Sequence, residues 1–132
     1  MSVDFRLEVV VVPVADVDRA KAFYADQMGF NVDHDTEPNP GTRVVQLTPQ
    51  GSGCSVVIGT GLTDMEPGSL KGIQLVVDDM DTAYELLSGR GVDLGDIVTL
   101  GAEGRPGFRH VFFDDPDGNA WTIQEIRPHS SG

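Results

Sequence analysis

A chain of 132 residues, 39% hydrophobic and 23% charged, fits one domain with a sizeable core and excludes wholesale disorder. With 21 Asp plus Glu against 9 Lys plus Arg, the net charge of −12 would repel a polyphosphate, which excludes nucleic acid as a partner. It favours neutral or cationic small molecules, unless the acidity only serves solubility. The single Cys54 cannot form an internal disulfide. No apolar run approaches the roughly 20 residues of a membrane span, and the first residues lack the basic start and long apolar stretch of a secretory signal. A cytoplasmic protein with no membrane partner is expected.

In chain order, a β-branched run over 7–13 predicts a strand, and Asp16 can cap a helix whose apolar positions Val17, Ala20, Phe23, Tyr24 and Met28 keep helical spacing. Gly29 ends it in the left-handed conformation open to a residue without Cβ. Strands follow at 30–34, 43–48 and 54–60, with a turn at Asn39-Pro40-Gly41 and a hairpin loop over 49–53. The same order then recurs: strand 72–77, cap Asp79, helix 80–88, a stop at Gly89 or Gly91, and strands 92–98, 108–114 and 120–126. Asp115-Pro116-Asp117-Gly118 joins the last two, Pro presetting φ and Gly accepting φ > 0. Asp16, Asp18 and Ala20 map onto Asp79, Asp81 and Ala83 with one offset of 63 residues, and Gly29 maps onto Gly91 at 62. Two copies of so long a unit read as a duplicated βαβββ module rather than a solenoid. The modules cover about 5–62 and 70–128 of a single domain over 1–132, with 61–71 as linker. The fold class is α+β: two tandem modules whose curled mixed sheets form a cup with helices outside.

Two motifs carry a family resemblance. They are Val14-Ala15-Asp16-Val17-Asp18-Arg19-Ala20 with Phe23-Tyr24 and Met28-Gly29-Phe30, and Phe113-Asp114-Asp115-Pro116-Asp117-Gly118-Asn119. Together with the duplicated order, over nearly the whole chain, they resemble the vicinal oxygen chelate superfamily of glyoxalases, bleomycin-resistance proteins, fosfomycin-resistance enzymes and extradiol dioxygenases. The motifs are a cap, a core face, a helix stop and a tight hairpin, so they speak for fold rather than chemistry. Metal-using members draw ligands from the first and last strand of each module. The resemblance puts those positions at Val9, Gly72, Thr122 and either Ile58 or Val56. Hydrocarbon, bare backbone and one hydroxyl cannot displace water from a divalent cation, so no metal and no other cofactor is expected. The resemblance also implies a homodimer, with cups completed or flanked by the partner.

Strand parity then lines the cup with Val9, Val11, Ile58, Gln74, Val76, Thr122 and Gln124. The usual register of the resembling family turns His110 and Phe112 inward as well, whereas a one-residue slip would show Arg109, Val111 and Phe113. An apolar wall with a few polar groups suits a small-molecule site. His110 is the one titratable candidate for acid–base catalysis, with Gln74, Gln124 and Thr122 orienting a substrate; the alternative is a histidine hydrogen-bonded within its strand pair. Cys54 lacks an evident basic neighbour and reads as a small hydrophobe. His34 and His129 read as solvated, and Trp121 as packed under a helix. Two functions stay open. The chain is a metal-independent protein binding a mostly apolar, neutral or cationic ligand, as bleomycin-resistance members do. Alternatively it is a metal-independent lyase or isomerase using His110. A cup filled by its own Phe112 and valines, in a protein acting by association, is a third reading.

Overall fold

A computed structural model describes residues 3–101 and 107–126. The order is β1 (Val9–Val11), α1 (Val17–Ala22), β2 (Asn31–Asn39), β3 (Thr42–Thr48), β4 (Ser55–Thr60), β5 (Ile73–Val77), α2 (Met80–Gly89), β6 (Val98–Leu100), β7 (Phe108–Asp114) and β8 (Ala120–Glu125). A π-helical turn over Phe23–Gln27 extends α1. The strands form two four-stranded mixed sheets, ordered β1-β4-β3-β2 and β5-β8-β7-β6, each with one parallel pair at β1·β4 or β5·β8. This is the duplicated α+β order expected from the sequence.

The local signals act where they were placed. The Asp16 carboxylate accepts from Arg19 N at 3.1 Å and Asp79 from Thr82 N at 3.2 Å, each satisfying an orphan donor of a first helical turn. Gly29 and Gly91 stop the two helices at φ of 79° and 85°. Three strand boundaries differ: β1 is shorter than 7–13, β2 runs on to Asn39 past the expected 30–34, and the strand expected over 92–98 moves to Val98–Leu100. Val92 N instead bonds Leu87 O, closing the end of α2, and Gly95 N bonds Phe112 O. Tertiary anchoring thus overrides the β-propensity of a stretch already weakened by Asp93, Gly95 and Asp96.

One face of each sheet builds a single core. Val12, Val45, Leu47, Val56 and Ile58 of the first sheet join Val111, Phe113, Trp121 and Ile123 of the second, with Ala20, Phe23 and Tyr24 from the first helix and Met80 and Leu87 from α2. Trp121 is 1% exposed and stacks on Phe113 at 6.0 Å. Its indole donates at 2.9 Å to the Tyr24 hydroxyl, which donates at 2.6 Å to Asp115. Burial first, and then the Asp115 carboxylate, push the Tyr24 phenol well above its usual pKa, so it remains a donor. Asn119, fully buried, reaches Asp115 and Pro13 O through its amide and Leu70 N through its oxygen.

Charge pairs fix the helix starts. Arg109 joins Asp81 to Glu125, which also accepts from Met80 N at 2.7 Å. Asp35 accepts from Arg43 and Lys21 at 2.8 and 2.9 Å. Arg43 first, then Lys21, hold the Asp35 carboxyl well below the usual carboxylate range. A depressed folded-state value stabilises the fold above the unfolded pKa of about 3.9, and the gain is lost as pH falls through the folded value. The midpoint of thermal unfolding should therefore fall on acidification below about pH 4, and Asp35→Asn should flatten that slope; circular dichroism melts against pH check it.

Candidate functional site

Each sheet has a second face that the described residues leave partly open, although Ser55 and Val57 on the first sheet are buried. In the second sheet the registers Gln74↔Thr122, Val76↔Gln124, His110↔Gln124 and Phe112↔Thr122 gather Gln74, Val76, His110, Phe112, Thr122 and Gln124 on one side. The slipped register does not occur, because Val111 and Phe113 are core residues and Arg109 is paired near the start of α2. Val98, Leu100 and Phe108 extend the same face through Val98↔His110 and Leu100↔Phe108. Phe112 and Val76 are 50% and 55% exposed, which leaves an apolar surface around the polar groups rather than a self-filled cavity. Sequence reasoning missed Val98 and Leu100 because β6 begins later than the expected strand; Phe108, two residues before His110 on β7, shares the parity of His110 and was readable.

His110 lies flat against Phe112, with ring centroids 6.5 Å apart and planes 12° from parallel. Its Nδ1 is 2.9 Å from Phe108 O. A carbonyl can only accept, so Nδ1 carries a proton and donates it to Phe108 O. Gln74 donates its amide to the Gln124 side-chain oxygen, which fixes both side chains across the β5–β8 pair.

On the first sheet Val9 pairs with Ser55 and Val11 with Val57, so these four share a face. Ile58 and the alternative Val56 do not join them. Val56 pairs with Val10, and Ile58, at 0% exposure, has the same parity on the core side. Both candidates share one parity within the apolar run Val56-Val57-Ile58, and the parallel pairing with β1 turns that parity to the core.

The same face holds a carboxylate, that of Asp33. A break in the β2–β3 register between Val32 and His34 re-aims Asp33. Asp33 accepts from Thr48 Oγ1, from Gln46 Nε2 at 3.2 Å and from Asn31 Nδ2 at 2.8 Å. Thr48 in turn lies 2.6 Å from Ser55 Oγ. The Thr48 bond first, then Asn31, keep the Asp33 carboxyl below its ordinary pKa, so this patch is anionic at neutral pH.

The donor set does not fit the divalent cation that metal-using relatives hold. Val9 and Gly72 supply no donor, Thr122 one hydroxyl, and both candidates on β4 face the core. No three His, Cys, Asp or Glu side chains converge among the described residues. His34 is exposed, and His129 lies outside the described residues. No helix among the described residues is long and apolar enough to cross a membrane.

Residues 6–123 match the family model of the Glyoxalase/Bleomycin resistance protein/Dioxygenase superfamily. Among solved structures, the chain is similar to TnmS3, an antibiotic-binding protein from Streptomyces sp. CB03234, at 34% identity and TM-score 0.76, over 95% of this chain and 98% of that one. A glyoxalase/bleomycin resistance protein from the same Streptomyces strain is also 34% identical, with TM-score 0.73, over 91% and 100% of the two chains. A superfamily member from Sphaerobacter thermophilus DSM 20745 is 29% identical with TM-score 0.80, over 93% and 98%. No curated protein matches. With the duplicated sheets, the two capped helices and a family match over nearly its full length, the chain belongs to the glyoxalase/bleomycin resistance/dioxygenase superfamily.

Proposed function

We propose that the protein is a metal-independent binder of a mostly apolar, cationic small molecule, held on the open faces of the two sheets. The observation that carries this reading is the surface itself: exposed Val76 and Phe112 beside the Gln74–Gln124 pair on one sheet, and Val9 with the Asp33 carboxylate on the other. An apolar wall with a few fixed polar groups gives affinity and orientation, and the carboxylate selects for positive charge. The likeness to an antibiotic-binding protein supports the ligand class. Neither face encloses a ligand alone, so a second copy of the chain completes the cup in a homodimer.

Proflavine, a planar aromatic cation, is a suitable first probe. Fluorescence titration should show saturable binding that survives EDTA, weakens with salt and falls about tenfold in Phe112→Ala, the loss of one aromatic stacking surface. Abolition by EDTA would overturn the reading. A second reading rests on the unpaired Nε2 of His110: a lyase or isomerase in which it takes or gives a proton. A bell-shaped pH dependence of turnover, lost in His110→Ala, would favour it over the binder.

A further inference from the structure

Behind the second sheet lies a cavity of about 340 Å³, on the far side from the Gln74–Gln124 pair. Met28, Leu75, Leu87 and Ile123 form apolar walls together with Val76 of β5, and Arg90, just past the end of α2, is the only charged residue lining it among the described residues. Arg90 is exposed, and among the described residues its guanidinium, like Arg6 and Lys71, has no ion pair, which leaves it available to a ligand, whereas Arg19, Lys21, Arg43 and Arg109 are paired with carboxylates. Gly29 makes room for it: an ideal Cβ there would stand 2.6 Å from Nη1. The cavity volume lies within the usual range of small-molecule pockets, roughly 300–1,000 Å³.

We propose that this cavity is a second binding site, for an amphiphilic monocarboxylate. A planar guanidinium beside hydrocarbon is matched by a carboxylate, which it can hold through two parallel hydrogen bonds, while the tail covers the apolar wall. The net charge of −12 opposes anions with more than one charge, so a single carboxylate on a medium-length tail is the species that fits. The chemistry is opposite to that of the Asp33 face, and the inference does not depend on what that face binds.

The test is a titration of the full chain with octanoate, and in parallel octan-1-ol, read by methyl NMR. Octanoate should shift the Met28 and Leu75 methyls saturably and leave the Val9 and Thr122 methyls on the open faces unmoved. Arg90→Gln should weaken octanoate about tenfold and leave octan-1-ol unchanged, since only the charged hydrogen bonds are lost. Leu86→Glu, at a half-exposed position of the lining, should weaken both and leave the fold intact. The proposal is overturned if octanoate binds Arg90→Gln as tightly as wild type, shifts only the open faces, or does not bind at millimolar concentration.

Discussion

Asp115→Ala is expected to lower the unfolding free energy by about 3–5 kcal/mol, which for a domain of this size moves the thermal midpoint down by roughly 10–20 °C. The carboxylate is 5% exposed and accepts from four donors: the Tyr24 hydroxyl, the Asn119 side-chain amide, and the backbone amides of Asp117 and Asn119. Removing it strands those donors away from water, and each buried unsatisfied group costs about 1–3 kcal/mol. Part of the loss is recovered where the turn relaxes toward solvent, which keeps the total below the simple sum. Tyr24→Phe isolates one arm. It deletes the 2.6 Å bond to Asp115 and leaves the Trp121 indole N–H without its acceptor, and should cost about 1–3 kcal/mol. The two variants share partners, so the double mutant should fall short of additivity. Urea denaturation of the four proteins measures the cycle, and a loss under 1 kcal/mol in Asp115→Ala would show that the network contributes little.

The second large effect concerns assembly. β1 and β5 are edge strands, each paired on one side only, and each carries an exposed valine, Val9 or Val76. Such an edge invites pairing, and among the described residues no strand covers it. If two copies complete the cups, light scattering should give twice the chain mass at micromolar concentration. The double variant Val9→Asp, Val76→Asp should raise the dimer dissociation constant by about a hundredfold or more, because each dimer then places four carboxylates on surfaces that carried hydrocarbon. Both valines are exposed in the single chain, so its far-ultraviolet circular dichroism should not change. A wild-type protein that stays monomeric at about 100 μM would remove the homodimer, and with it the closed cup.

The fold was legible because its signals are local. Asp16 and Asp79 cap helices within three residues, Gly29 and Gly91 stop them, and the Asp-Pro-Asp-Gly turn fixes the last hairpin. The parity of β7 and β8 came from the usual register of the resembling family, and the structure places His110, Phe112, Thr122 and Gln124 on one face. Where partners are distant in the chain, the reading faltered. Ile58 sits in an apolar run whose inward face is set by a parallel neighbour about 45 residues earlier. Asp33 reaches the open face only through an irregularity in β2, a feature without a sequence signature. Arg90 meets the apolar cavity because the end of α2 comes against Gly29 of the other module, a juxtaposition no pattern along either segment records.

Asn119 holds Pro13 O and Leu70 N, and Asp117 holds Ala15 N and Arg19, so the final hairpin is laced to the beginning of the chain and to its midpoint. Neither duplicated half can melt by itself without stripping polar partners from the other. The seam between the two modules is thereby erased energetically: denaturation should proceed as one all-or-none event, with an internal symmetry visible in the architecture and absent from the melting curve.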